Sequence, residues 1–102
     1  MLQVVFKKPN EKPMQMEIED TLEKLQELVE GYIEVIKAND DGSILMVVNE
    51  EGQLKRLEPN IWIGNTCIVG NVVFVQNKFD SEFHSLTDDM VKVIIRLLSE
   101  DK

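Results

Sequence analysis

Met14, Met16 and Ile18 alternate with Gln15, Glu17 and Glu19, a period of two that describes a strand with one face buried. The apolar run Leu2–Phe6 reads as a first strand. Between the two, Lys8-Pro9-Asn10-Glu11-Lys12-Pro13 reads as a turn, because proline has no amide hydrogen to give a sheet. The simplest pairing is a hairpin.

After Glu19 the period changes. Leu22, Leu25, Leu28 and Val29 fall on one helical face, which predicts a helix over Thr21–Glu30. Asp20 is the expected N-cap, Glu23 completes a capping-box arrangement, and Gly31 is placed where a left-handed cap favours glycine. The outer face of this helix has Glu23, Glu27 and Glu30 in an acidic stripe. Tyr32–Lys37 then reads as a strand, closed by the turn signal Asn39-Asp40-Asp41-Gly42.

Ile44–Val48 is apolar at every position, the pattern of a central strand covered on both faces. Asn49-Glu50-Glu51-Gly52 turns the chain, and Gln53–Leu57 is the next expected strand. Pro59–Asn65 reads as irregular, with Trp62 anchoring a loop onto the core. Cys67–Val75 is a second apolar stretch, interrupted by Gly70-Asn71, where a glycine suggests a bulge or close backbone approach. Thr87 caps a final helix whose first turn holds Asp88 and Asp89, and Met90, Val91, Ile94, Ile95, Leu97 and Leu98 give it a wide apolar stripe. The order is β-β-α-β-β-β-β-α: an α+β fold with a mostly antiparallel sheet of about five to six strands and two helices.

A chain of 102 residues fits a single domain spanning residues 1–102. No apolar run approaches the roughly 20 residues that cross a bilayer, and Met1–Phe6 is too short for a secretory leader. A cytoplasmic protein is the expectation. The net charge is −8, from 19 acidic and 11 basic residues. The basic ones are scattered, with adjacent pairs only at Lys7-Lys8 and Lys55-Arg56, so direct binding to nucleic acid or an anionic membrane is disfavoured. The same charge suits a protein partner with a basic surface.

Candidate chemistry is sparse. Cys67 is the single cysteine and sits in an apolar run, which favours a buried structural thiol and excludes an internal disulfide. His84 is the single histidine, beside Phe83 in a polar loop, with no motif to supply a nucleophile, so no catalytic residue is assigned. Structural zinc would need about four Cys or His ligands. An EF-hand loop counted back from Gly42 would begin at Lys37 and end at Val48, neither of which is a calcium ligand through its side chain. Phosphate-binding loops and nucleophile elbows do not occur. No metal or cofactor is therefore expected.

Several phrases together resemble a known family. They are Leu28-Val29-Glu30-Gly31-Tyr32-Ile33-Glu34, Asn49-Glu50-Glu51-Gly52 with Leu54 and Leu57, Pro59-Asn60, Ile68-Val69-Gly70 and Phe83-His84-Ser85-Leu86-Thr87-Asp88. The family is domain of unknown function thirty-eight forty-six, and the resemblance implies a setting in Gram-positive bacteria, their phages and mobile elements. One departure is Glu30, where the family pattern implies a second glycine before the strand. The resemblance implies no activity.

Residue type and loop position nominate Tyr32, Glu34, Asn49, Glu50, Asn60 and Trp62 as a binding site. The leading functional expectation is a non-enzymatic interaction module that docks a protein partner through its acidic surface, as a mobile-element accessory or regulator. The alternative is a small-ligand domain with a pocket between sheet and helices. Apolar strand edges also leave room for a homodimer.

Overall fold

Leu2–Lys7 (β1) and Met14–Ile18 (β2) form the expected hairpin, with Leu2 opposite Ile18 and Val4 opposite Met16. The computed structural model describes residues 1–100. After the hairpin come a helix, Leu22–Val29 (α1), and the strands Ile33–Lys37 (β3), Ile44–Asn49 (β4), Pro59–Ile63 (β5), Thr66–Val69 (β6), Val72–Asn77 (β7) and Phe83–His84 (β8). Helix Asp88–Glu100 (α2) follows. The main sheet runs β2-β1-β7-β4-β3, with β8 pairing β7, and every pairing is antiparallel. β5 and β6 form a separate hairpin. The α+β class, the antiparallel sheet and the succession of hairpin, helix, strands and helix are those the sequence predicts, with six strands between the helices where four were expected.

The central strands β4 and β7 are apolar throughout because both faces of the sheet are covered. Val47, Val73 and Val75 point to one side, where they pack with Leu2, Val4, Phe6 and Ile18 under Leu25 and Val29 of α1. Met46, Val48, Val72 and Phe74 point to the other, where they meet Val91 and Ile94 of α2 and Ile61 and Ile68 of the β5–β6 hairpin. The result is three layers: α1, the sheet, and a layer in which α2 and the small hairpin lie side by side.

Local details depart from the sequence reading for identifiable reasons. Thr21, not Asp20, caps α1, its Oγ1 accepting from the Lys24 amide at 3.1 Å. Thr87 caps α2 as expected, accepting from the Met90 amide at 3.1 Å. Gln53–Leu57 is no strand: Lys55 and Leu57 donate back to Glu51 and Gly52, and Arg56 has φ 56°, a left-handed conformation that extended pairing excludes. The strand is instead Pro59–Ile63, whose alternation sends Ile61 and Ile63 inward and leaves Trp62 65% exposed, so Trp62 is not a core anchor. Gly70, at φ 79°, ends β6 and lets the chain leave the small hairpin for the main sheet. A Cβ there would lie 2.8 Å from Leu57 Cδ1.

The end of α1 is the most informative of these departures. Glu30, not Gly31, takes the left-handed cap, with φ 65° and ψ 40° and its amide bonded to the Gln26 carbonyl. A side chain in this region costs roughly 1–2 kcal/mol, partly offset because glycine orders more chain on folding. Glu30→Gly is therefore expected to stabilise the fold by about 0.5–1 kcal/mol, read as a higher urea midpoint. Glu30→Ala is the control for lost charge; if it stabilises as much as glycine, backbone strain is not the cause.

Candidate functional site

Four of the six nominated residues meet where α1 hands over to β3. The Glu50 amide donates to the Tyr32 carbonyl at 2.8 Å, and Ile33 pairs with Asn49 across β3–β4. Tyr32 is 68% exposed, and Glu34 and Glu50 are also exposed. Glu34, Asn49 and Glu50 line a shallow hollow of about 190 Å³ together with Gln53 and Cys67. Cys67 is half-buried on β6, opposite Trp62, so it is less enclosed than its apolar neighbours imply.

The two asparagines are structural in their contacts. Asn49 Nδ2 donates to the carbonyls of Val29 at 3.0 Å and Glu30 at 3.3 Å, and its Oδ1 accepts from the Glu51 amide at 2.7 Å. It thereby ties the left-handed end of α1 to the end of β4. Asn60 Nδ2 donates to Lys7 O at 2.9 Å and Gly70 O at 2.7 Å, while its Oδ1 accepts from Lys7 Nζ at 3.0 Å. It joins the small hairpin to β1 and the β6–β7 turn. Both amides are spent on contacts within the fold, Asn49 on backbone alone and Asn60 on backbone and Lys7 Nζ, and neither is presented to a ligand.

Trp62 stands apart from the cluster at the α1–β3 junction, at the rim of a hollow of its own. This groove, about 580 Å³, separates β5 from α2. Ile61, Trp62 and Ile63 form one wall, Val93 and Leu97 lie on the other, and Phe74 and Ile44 lie beneath. Leu97 is 60% exposed and Val93 48% exposed, a large apolar exposure for helix positions that face a neighbour. Asn39 is the polar side chain here, and it is already committed, donating to Ser43 Oγ at 2.9 Å and accepting from the Ile44 amide at 3.1 Å. Sequence reasoning missed Val93. The signal was available in the width of the α2 stripe, which exceeds what one sheet face can cover.

Charge is concentrated on the opposite side. Residues 17–34 hold Glu17, Glu19, Asp20, Glu23, Glu27, Glu30 and Glu34 against Lys24 alone, a net −6 of the chain's −8. All seven carboxylates are exposed. β2 and β3 are opposite edges of the main sheet, so α1 and its flanking turns lead this charge from one edge to the other. Lys24 pairs with Glu27 at 3.5 Å, which leaves most of the band uncompensated.

Elsewhere the titratable groups form small local motifs. His84 Nε2 meets both carboxylate oxygens of Asp80, at 2.9 and 3.0 Å, and among the described residues its ring touches no hydroxyl or thiol that could act as a nucleophile. The His84 contact holds the Asp80 carboxyl below the usual carboxylate range. The Ser43 amide and hydroxyl do the same for Asp41 in the β3–β4 turn. Among the described residues no group of three or more His, Cys, Asp or Glu is placed to hold a metal ion, and no helix is long and apolar enough to cross a membrane.

Comparison with known proteins gives one match, to the family model described as Domain of unknown function (DUF3846), over residues 2–99. No curated protein and no solved structure matches the chain.

Proposed function

Since the chain belongs to the DUF3846 family, a membership that names no reaction, we propose from its surface that it is a non-enzymatic binding module docking a basic protein partner on the acidic face around α1. The supporting observation is the net −6 held by residues 17–34, with all seven acidic side chains exposed and crossing the sheet from edge to edge. Fields of one sign over such a surface steer oppositely charged partners and raise association rates, and salt weakens them. A cytoplasmic accessory or regulatory role, acting on a partner that itself handles DNA, belongs to the same proposal. The acidic band would then stand where phosphate charge normally lies.

The test uses the wild-type chain, a Glu23→Gln/Glu27→Gln/Glu30→Gln variant and a Trp62→Ala variant as baits at low and high salt. A partner of this face is expected on wild type and Trp62→Ala, released at high salt, and weakened about tenfold or more on the triple variant. Equal retention by the triple variant, or retention unmoved by salt, would overturn the reading.

A small-ligand role is the second reading, favoured by the volume and apolar lining of the groove beside Trp62. Such pockets use a few placed polar groups to fix orientation. Here the lining offers Asn39, whose amide is already occupied, and this places protein docking first.

A further inference from the structure

The groove between β5 and α2 has a wall that an apolar cleft for a small molecule does not need: the unpaired edge of a strand. Among the described residues β5 pairs with β6 and with no other strand. Ile61, Trp62 and Ile63 line the groove, whereas Thr66–Val69 of β6 line the small hollow on the hairpin's other side. The open edge of β5 therefore faces α2. Among the described residues no backbone or side-chain hydrogen bond from outside the hairpin reaches the amides or carbonyls of Ile61, Trp62 or Ile63.

The turn fixes which groups are open. Gly64-Asn65 is a two-residue loop with Gly64 at φ 59°, which matches a type II′ hairpin. The residues flanking such a loop, Ile63 and Thr66, exchange hydrogen bonds, and the pattern alternates along an antiparallel ladder. Trp62, opposite Cys67, then falls at a non-hydrogen-bonded pair. Its N–H and C=O point away from β6 and toward the groove.

We infer that this groove binds an extended, apolar segment of a partner protein by strand addition to β5, with its side chains seated against Val93 and Leu97. Backbone bonds to Trp62 would supply the pairing, and the apolar wall of α2 would supply side-chain selectivity. Charge selects this occupant over a second copy. Each copy has a net charge of −8, so copies repel. The groove's own lining is uncharged; Lys37 and Asp40 both line the adjoining hollow that shares Ala38, Asn39 and Ile63 with it, and Asp89, Lys92 and Arg96 are exposed on α2 near Val93 and Leu97. The flanking charges are of both signs, so what the groove complements is an apolar extended segment and not a polycation. This surface lies on the sheet face opposite α1, so the inference stands or falls independently of the acidic docking face.

The experiment is selection of a random linear peptide display library on the immobilised full-length chain, followed by binding of a selected synthetic peptide. Trp62 is the single tryptophan, so its fluorescence reports occupancy directly. The expected peptides have apolar residues at alternate positions. N-methylation of the peptide backbone should weaken binding about tenfold or more at alternate positions and leave the intervening ones unchanged. Trp62→Pro deletes an outward N–H that an edge strand can lose without unfolding. By labelled-peptide anisotropy it should bind about tenfold more weakly than Trp62→Ala, which keeps that N–H. The Glu23→Gln/Glu27→Gln/Glu30→Gln variant should bind the peptide within about twofold of wild type. If Trp62→Pro fails to fold, the N-methyl series decides alone. An N-methyl series without alternation, the absence of any peptide that shifts Trp62 emission, or concentration-dependent dimerisation that buries Trp62 would each overturn the inference.

Discussion

Asn49→Ala is expected to destabilise the protein by about 2–3 kcal/mol, lowering the melting temperature by roughly 10–20 °C. Asn49 is 5% exposed, and its one amide group satisfies three backbone groups: the carbonyls of Val29 and Glu30 and the amide of Glu51. Alanine removes all three bonds and leaves the Val29 carbonyl buried without this partner, which is the costly side of hydrogen-bond deletion. The prediction has a built-in check in Gly31. A Cβ at position 31 would lie 2.6 Å from Asn49 Nδ2, closer than side chains approach, and Gly31 is not among the residues with positive φ. Glycine is required there by the amide's approach and not by its own backbone. Gly31→Ala should therefore be clearly destabilising alone and much less so in an Asn49→Ala background, a coupling that a double-mutant cycle on urea unfolding resolves. Additive costs would show that the two side chains do not contend for the same space.

Asn49 also shows how far local sequence reaches. Its position beside a turn signal marks it as special, and the sequence reading took that as a sign of binding. The partners that explain it are Val29 and Glu30, 20 and 19 residues away along the chain. Asn60 is the same case at longer range, bridging Lys7 at a separation of 53 and Gly70 at 10. A polar residue in a turn reads alike whether it waits for a ligand or for distant backbone, because the deciding contacts are tertiary. The elements themselves were legible where a period was sustained, as at Met14–Ile18, Ile44–Val48 and the two helices.

Trp62 shows the opposite failure. Composition argues that a lone tryptophan belongs in the core, but Ile61 and Ile63 flank it, and strand alternation can bury only one set. Two branched side chains take the inward face and put the ring outside. Read as a strand, Pro59–Ile63 would have predicted that exposure; read as a loop, it did not. Gln53–Leu57 competed for the strand assignment because it also mixes Leu with polar residues. It lost because Leu57 and Lys55 find their hydrogen-bond partners within the turn, at Gly52 and Glu51. The groove was legible only in part: the apolar stripe of α2 was evident, but its separation from β5 is a matter of how two layers are spaced on one sheet.

Phe74→Ala is expected to be the most damaging single change, at about 3–5 kcal/mol. Phe74 lies on β7 between Val5 of β1 and Met46 of β4, is 4% exposed, and belongs to the core that also holds Val48, Ile61, Leu86 and Ile94. The loss combines the transfer free energy of the ring with the cavity it leaves, and the surrounding strands cannot close that cavity because their spacing is set by the ladder. Against the roughly 5–15 kcal/mol that holds a typical domain, this consumes a large share. Urea unfolding should show a much lower midpoint with an unchanged slope, the sign of altered stability without altered compactness. Phe74→Leu, which keeps most of the volume, should cost about 1–2 kcal/mol. Because Phe74 also lies beneath the groove, the void made by alanine opens toward Trp62 and Leu97 and not into sealed interior. The folded fraction of Phe74→Ala should accordingly bind an apolar dye such as anilinonaphthalene sulfonate more strongly than wild type, with Trp62 emission as the reporter. A cost below about 1.5 kcal/mol with no gain in dye binding would mean that α2 and the β5–β6 hairpin close over the gap, and that the groove is held open by the ring itself.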